Sequence, residues 1–195
     1  YLYSTRVNLG RVQQDLNALW SIAPHDISIM NFLLGAMPLE VSARGAKYLS
    51  GKVEDVVFAD LEYPKGIIAH IHASWLDPSK VRKMTIVGAK QMIVYDDIDP
   101  EGKVRLYDKG AMRVSDNHVY GEFQYKLRTG DIYVPKIEMT EPLRNEVAHF
   151  IECIIEGRRP RTDGWNGLRV VRVLEAAGRS IARNGAPEPV EPARE

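Results

Sequence analysis

The chain has 195 residues, 45% of them hydrophobic and 27% charged, enough apolar material for one substantial core and therefore for one domain. Lys plus Arg and Asp plus Glu balance at 26 each, so no basic excess exists to hold a nucleic acid or an anionic membrane. The single cysteine, Cys153, excludes an internal disulfide and a cysteine-built zinc site.

Residues 1 to 10 alternate, with Tyr1, Tyr3, Thr5, Val7 and Leu9 on one parity and Ser4, Arg6 and Asn8 on the other. This is the period of a half-buried strand, with Arg6 and Asn8 on its polar face. After a loop or short helix through Asp15, Pro24 to Leu34 reads as a helix. Pro24 and Asp26 suit its first turn, Ile29, Met30, Leu33 and Leu34 are apolar, and Gly35 stops it. From Leu39 to Leu127 the pattern is strand-like. Val57 to Tyr63 and Ile67 to Trp75 flank the turn Tyr63-Pro64-Lys65-Gly66 and predict a hairpin. Further strands fit Lys83 to Val87, Met92 to Tyr95, Val104 to Tyr107 and Val119 to Leu127.

The last third changes period. Thr140 is placed to cap a helix with Leu143, Val147, Phe150, Ile151 and Ile154 on one face, ended by Gly157. Asn166 is placed to cap a second, carrying Val170, Val171, Leu174, Ala177 and Ile181 and ended by Gly185. The prediction is one α+β domain over 1–185, a mainly antiparallel open sheet covered on one face by helices, with residues 186–195 a disordered, proline-rich tail. Both parities of the central strands hold apolar residues, as in Val56, Val57, Phe58 and Ala59, so the second face is expected to meet a partner and the chain to be a homo-oligomer. No apolar run approaches the roughly 18 residues of a membrane span. The opening residues Tyr1 to Arg6 lack the regions of a signal peptide, so a cytoplasmic location is expected. The start at Tyr1, without a Met, points to a piece of a longer protein.

Among residues able to carry chemistry, His25 stands out. A helix N-terminus disfavours its imidazolium and favours a neutral ring that accepts a proton from a hydroxyl, and Asp26 can orient it. The alternative is a boundary histidine beside a first-turn aspartate. His70 and His72 share one strand face with Ser74, but a third ligand such as Asp60 or His118 has no assured place nearby, and no metal is predicted. His149 reads as a boundary residue, Cys153 as a small buried hydrophobe, and Arg158, Arg159 and Arg161 as a solvated basic patch. Trp165 can stack on a ring or pack on its own domain. The sequence holds no Gly-x-Gly-x-x-Gly run, no Gly-Lys-Ser/Thr loop and no Gly-x-Ser-x-Gly elbow.

Arg6-x-Asn8-x-Gly10, Asp15, and Leu19-Trp20-Ser21-Ile22-Ala23-Pro24-His25-Asp26-Ile27-Ser28-Ile29 resemble the second domain of the Gfo/Idh/MocA oxidoreductases. Ser74-Trp75-Leu76-Asp77-Pro78-x-Lys80-x-Arg82, Gly88 to Asp97, Glu141-Pro142-Leu143 with His149-Phe150, and Gly167 to Ser180 are similar, in order and spacing, to members acting on nucleotide sugars and sugar acids. The resemblance runs from Tyr3 to about Gly185. It implies an enzyme whose N-terminal Rossmann domain, absent from this chain, binds NAD or NADP, while this domain forms the substrate site and the oligomer interface. It further implies that His25 is the active-site histidine, paired with a lysine from a Glu-Lys-Pro segment of the absent domain. Many related sequences carry an acidic residue where this chain has Ser21.

On that resemblance and the strand parity, Arg6 and Asn8 are expected to bind hydroxyl, carboxylate or phosphate groups of a sugar substrate, Trp20 to wall the site, and Ser21 and Asp26 to line it. The expected reaction is oxidation or reduction of a sugar hydroxyl. Two alternatives stand beside it: a non-catalytic sugar-binding or dimerisation module, and a relative that uses transient redox in glycoside cleavage.

Overall fold

A computed structural model describes residues 1–49, 51–113 and 125–193. The first strand, β1 (Leu2–Val7), leads into a short helix, α1 (Ala18–Ile22), and then α2 (Pro24–Leu34). Asn17 caps α1 by accepting the Trp20 amide at 3.0 Å. α2 has the predicted bounds: proline sits in its first turn, and Gly35, at φ 60°, closes it in the left-handed conformation that glycine adopts without strain. Strands β2 (Glu40–Ala46), β3 (Val56–Tyr63) and β4 (Ile67–Ser74) follow, β3 and β4 forming the predicted hairpin. Then come β5 (Val81–Val87), β6 (Met92–Asp96), β7 (Val104–Arg113) and β8 (Tyr125–Tyr133). The strand predicted over Val119 to Leu127 lies partly outside the described residues; what is described runs from Tyr125 to Tyr133.

The nine strands, counting β9 (Glu188–Pro189), form one sheet in the order β8-β7-β6-β5-β1-β4-β3-β2-β9. All neighbours are antiparallel except β1 and β4. The α+β prediction, a mainly antiparallel open sheet with helices on one face, holds.

The core lies between the β1 to β4 half of the sheet and helices α1, α2 and α4 (Gly164–Ala182). Val57, Ala59, Leu61 and Tyr63 of β3 and Ala69, Ile71 and Ala73 of β4 face Leu19, Ile27, Met30, Val173 and Leu174. Each such side chain withdraws apolar area from water, roughly 1.5–3 kcal/mol apiece for the larger ones. Tyr63 buries its ring and donates its hydroxyl proton to Asn31 Oδ1 at 2.8 Å, so burial costs no hydrogen bond.

Four expectations change. In β1 the polar parity turns inward: Ser4 is 0% exposed and Arg6 is buried, while Tyr3 is 42% exposed on the outer face. Glu141, not Thr140, caps α3 (Pro142–Glu156), its carboxylate accepting the Leu143 and Arg144 amides. Asp163, not Asn166, caps α4 and accepts the Asn166 amide at 2.8 Å. The apolar row of α3 does not cover the sheet; Leu143, Val147, Phe150, Ile151 and Ile154 are all exposed, and only Cys153 is buried.

The tail is corrected as well. It is not disordered from Ala186: Val41 pairs with Glu188 and Glu40 with Pro189, making β9 the sheet's last strand, and Val190 joins the core. Arg179 and Arg183 of α4 both pair with the Glu188 carboxylate. Burial works against that carboxylate's charge, yet the two arginines hold its pKa below the ordinary value. Composition missed this because the anchoring charges come from another element.

Candidate functional site

The N-terminal turn of α2 sits beside the inward face of β1. Adjacent helix positions differ by about a quarter turn, so His25 and Asp26 diverge. The His25 ring is exposed, whereas Asp26 turns inward to Arg6. Arg6 Nε donates to Asp26 Oδ2 at 2.6 Å and Nη2 to Oδ1 at 3.4 Å, a two-pronged pair in which both partners are buried. Burial raises the Asp26 carboxyl above its ordinary pKa, outweighing the hydrogen bond and charge of Arg6. The pair fixes the first turn of α2 on β1 and so sets where His25 stands.

Beyond β1 the same face continues onto β5 and β6, whose residues are half-buried or buried. Arg82 of β5 lies directly opposite Arg6 in the β1–β5 register. Tyr95 of β6 is placed two residues further along, opposite Met84, and its hydroxyl donates to Asp97 Oδ1 at 2.8 Å. Arg82 Nη1 and Lys103 Nζ also reach Asp97, at 3.5 and 3.3 Å. Burial, then the Asp97 carboxylate, pushes the Tyr95 hydroxyl up to about 12; Arg6 and Asp26 lie close enough to act on it too. Asp97 is shifted the other way: partial burial would raise it, but the bonds from Tyr95, Lys103 and Arg82 together hold it below its ordinary value. Arg82, Tyr95, Asp97 and Lys103 went unread in the sequence, because only the register between β1, β5 and β6 brings them to Arg6.

The other expected site residues are scattered around this centre. Asn8 lies just past β1, its amide bonded to the Ser74 carbonyl, and its side chain covers Gly10, where a Cβ would stand 2.7 Å from Asn8 Nδ2. Trp20 packs partly buried against the core from α1. Ser21 Oγ accepts from Gln13 Nε2 at 3.3 Å. The structure therefore joins Arg6, Asp26 and the first turn carrying His25, and gives Trp20 and Ser21 neighbours of their own.

Elsewhere, His70 pairs with Asp60 at 2.7 Å, and Phe58 stacks on the His72 ring at 4.4 Å, all on the outer sheet face. Among the described residues no group of three His, Cys, Asp or Glu side chains could hold a metal ion; His118 lies outside them. Cys153 Sγ is 3.6 Å from His149 Nε2, which accepts the Arg161 amide at 3.1 Å. Arg158 pairs with Glu152 and Glu156, and Arg159 with Asp163. A cavity of about 460 Å³ lies at the far end of α2, lined by Asn31, Gly35, Met37, Arg161 and Arg169, away from His25. No described helix is long and apolar enough to cross a membrane.

With this geometry in place the chain can be compared with known proteins. Residues 8–94, from Asn8 through β6, match the GFO/IDH/MocA C-terminal domain. Solved structures agree in fold. UDP-N-acetylglucosamine 3-dehydrogenase GnnA from Acidithiobacillus ferrooxidans superposes with a TM-score of 0.75 at 19% identity, covering 94% of this chain and 53% of that one. The aldose-aldose oxidoreductase of Caulobacter crescentus, complexed with glycerol, gives 0.73 at 19% identity, with 96% and 54% covered. The WlbA dehydrogenase of Bordetella pertussis, in complex with NADH and UDP-GlcNAcA, gives 0.66 at 19% identity, with 98% and 54% covered. The chain thus spans about half the length of these relatives. No curated protein matches it.

Among the described residues the parallel strand pair β1 and β4 has no glycine-rich turn leading into a helix, the arrangement that cradles a pyrophosphate.

Proposed function

We propose that this Gfo/Idh/MocA domain is the substrate half of an NAD(P)-dependent oxidoreductase that acts on a sugar hydroxyl, with His25 as its proton acceptor and donor. The observation that carries the reading is the first turn of α2: an exposed imidazole anchored by the buried Arg6–Asp26 pair. The nicotinamide, held by a domain upstream of Tyr1, supplies the hydride acceptor. This chain binds the sugar and moves its proton. His25 takes the hydroxyl proton, Asp26 faces away from the reaction and serves as a positioning residue, and Asn8 and Trp20 border the sugar. The sugar dehydrogenases and oxidoreductases of the same fold support this assignment.

The test uses a polypeptide extended upstream to include the cofactor domain, with NAD or NADP and a panel of nucleotide sugars and sugar acids. Reduced-nicotinamide absorbance should appear, and His25→Ala should lower kcat by about 10²–10⁴-fold, the usual worth of a general acid–base group. Unchanged turnover would remove His25 from the mechanism. Ser21 favours a second reading: this residue, bonded to Gln13, stands at the sequence position where many resembling sequences carry an acidic side chain, and a hydroxyl supplies no carboxylate for a proton relay. In that reading the redox step is transient and glycoside cleavage leaves no net NADH.

The partner for the outer sheet face is a second copy of the chain. Tyr1, Tyr3, Phe58 and Ile68 are exposed there, with Phe58 already stacked on His72. Light scattering should show an oligomer that Phe58→Asp dissociates; a monomer at high concentration would overturn this.

A further inference from the structure

Asn31, in the last turn of α2, is only 8% exposed. Its Oδ1 is fixed by the Tyr63 hydroxyl, while its Nδ2 has no hydrogen-bond partner among the described residues. An unpaired buried amide nitrogen is costly, and native structures seldom keep one that nothing completes. Asn31 also lines the cavity of about 460 Å³ between this end of α2 and the first turns of α4. Arg161 reaches the cavity from just before α4, and Asn166 and Arg169 from its first two turns. Among the described residues no carboxylate lines it. Asp163 is engaged elsewhere, capping α4 and pairing with Arg159. The guanidinium groups are not needed to close α2, because the Ala36 and Gly35 amides already take the Asn31 and Phe32 carbonyls. The start of α4 adds the positive end of a helix dipole. Phe32, 76% exposed, and Met37 give the cavity an apolar side.

We propose that this cavity binds a small organic anion, a carboxylate or phosphate carried on an apolar body, at a site separate from the sugar. The oxyanion takes charge-assisted hydrogen bonds from Arg161 and Arg169, whose forked N–H groups match carboxylate and phosphate geometry. Asn31 Nδ2 gains the acceptor it lacks, and the apolar body lies against Phe32 and Met37. The volume falls within the roughly 300–1,000 Å³ of small-molecule sites and exceeds what a bare ion fills. His25 stands ten residues before Gly35, about 15 Å along the helix, so an anion here does not touch the reacting hydroxyl. The site joins α2 to α4 and does not rest on the oxidoreductase reading.

The test is calorimetric titration of the 195-residue chain with benzoate, phenyl phosphate, inorganic phosphate and phenol. Benzoate or phenyl phosphate should bind at least tenfold more tightly than both phenol, which lacks the oxyanion, and inorganic phosphate, which lacks the apolar body. The tighter of the two aromatic anions identifies the group recognised, and added salt should weaken its binding. Arg161→Gln, at an exposed position, and separately Arg169→Gln should each lower that affinity at least fivefold, with circular dichroism melts confirming a folded chain. Arg82→Gln, on β5, should leave it within twofold. Absence of binding by both aromatic anions, equal affinity for phenol, an affinity unchanged in Arg161→Gln, or an equal loss in Arg82→Gln would overturn the site. Nicotinamide turnover by the extended polypeptide tests the oxidoreductase reading alone, and its failure leaves the anion site standing.

Discussion

Arg6 and Asp26 hold each other out of water, and the cost of separating them is the clearest residue-scale quantity in the domain. Removing one partner of a buried ion pair strands the other charge, worth about 3–5 kcal/mol. Asp26→Ala should therefore lower unfolding stability by that amount in urea titrations, and Asp26→Asn by less, since the amide still accepts a bond from Arg6. Asp26 and Asp97 should also titrate in opposite directions. Burial raises Asp26, so between the ordinary 3.8 and its raised value the folded chain binds more protons than the unfolded one, and stability falls as pH rises through that window. The bonds to Asp97 outweigh its burial and depress its value; its contribution is complete above 3.8 and is lost as pH falls through the folded pKa. Carboxyl-carbon NMR should place the Asp26 midpoint above 3.8 and the Asp97 midpoint below it. At this scale, His25 at a helix start was legible from Pro24, Asp26 and the apolar spacing alone. The inward turn of Arg6 was not, because Tyr1 and Tyr3 outcompete Ser4 and Arg6 in any hydrophobicity pattern and only Asp26, twenty residues on, reverses the choice.

The elements differ in how far the chain itself holds them. Helix α4 lies on β2, and Ser180 ties the two together: its Oγ accepts the Ala43 amide at 2.8 Å and donates to the Ala186 carbonyl at 2.7 Å. Ser180→Ala leaves both groups unpaired at a buried position, so stability should drop by roughly 1–3 kcal/mol in thermal melts. Helix α3 is the opposite case. Phe150 is 57% exposed and has no core to leave, so Phe150→Ser should change the stability of this chain by less than about 0.5 kcal/mol. A larger loss would show that the helix packs more closely than described. The periodicity of α3 was read correctly as amphipathic, but a period reports which side is apolar and says nothing of what meets it. The helix caps were misplaced by one to three residues for a related reason: Thr140, Glu141, Asp163 and Asn166 all offer side-chain acceptors near a helix start, and backbone geometry decides which is used.

At the scale of the whole molecule, the described helices cover the sheet over its β1 to β4 half. Strands β1 and β3 to β7 and the α+β class followed from alternation and from the late switch of period. Strand order did not, since β1 joins β4 and β5 by pairings remote in sequence, and no local pattern encodes them. The tail is the largest reversal. Deleting residues 186–193 should cost at least the burial of Val190, about 1.5–3 kcal/mol, and expose the β2 edge. A truncated chain that melted unchanged would return the tail to the unstructured class.

The central position of β1 also bears on how the domain is made. Leu2 pairs with Ala69 on one side and Ile86 on the other, so β1 completes its pairing only once both β4 and β5 exist. Such long-range closure slows folding, and the arrival of Arg6 beside Asp26 depends on it. Until β1 docks, Asp26 has no cation and His25 no fixed position, so binding competence should emerge together with the final refolding phase and not before it.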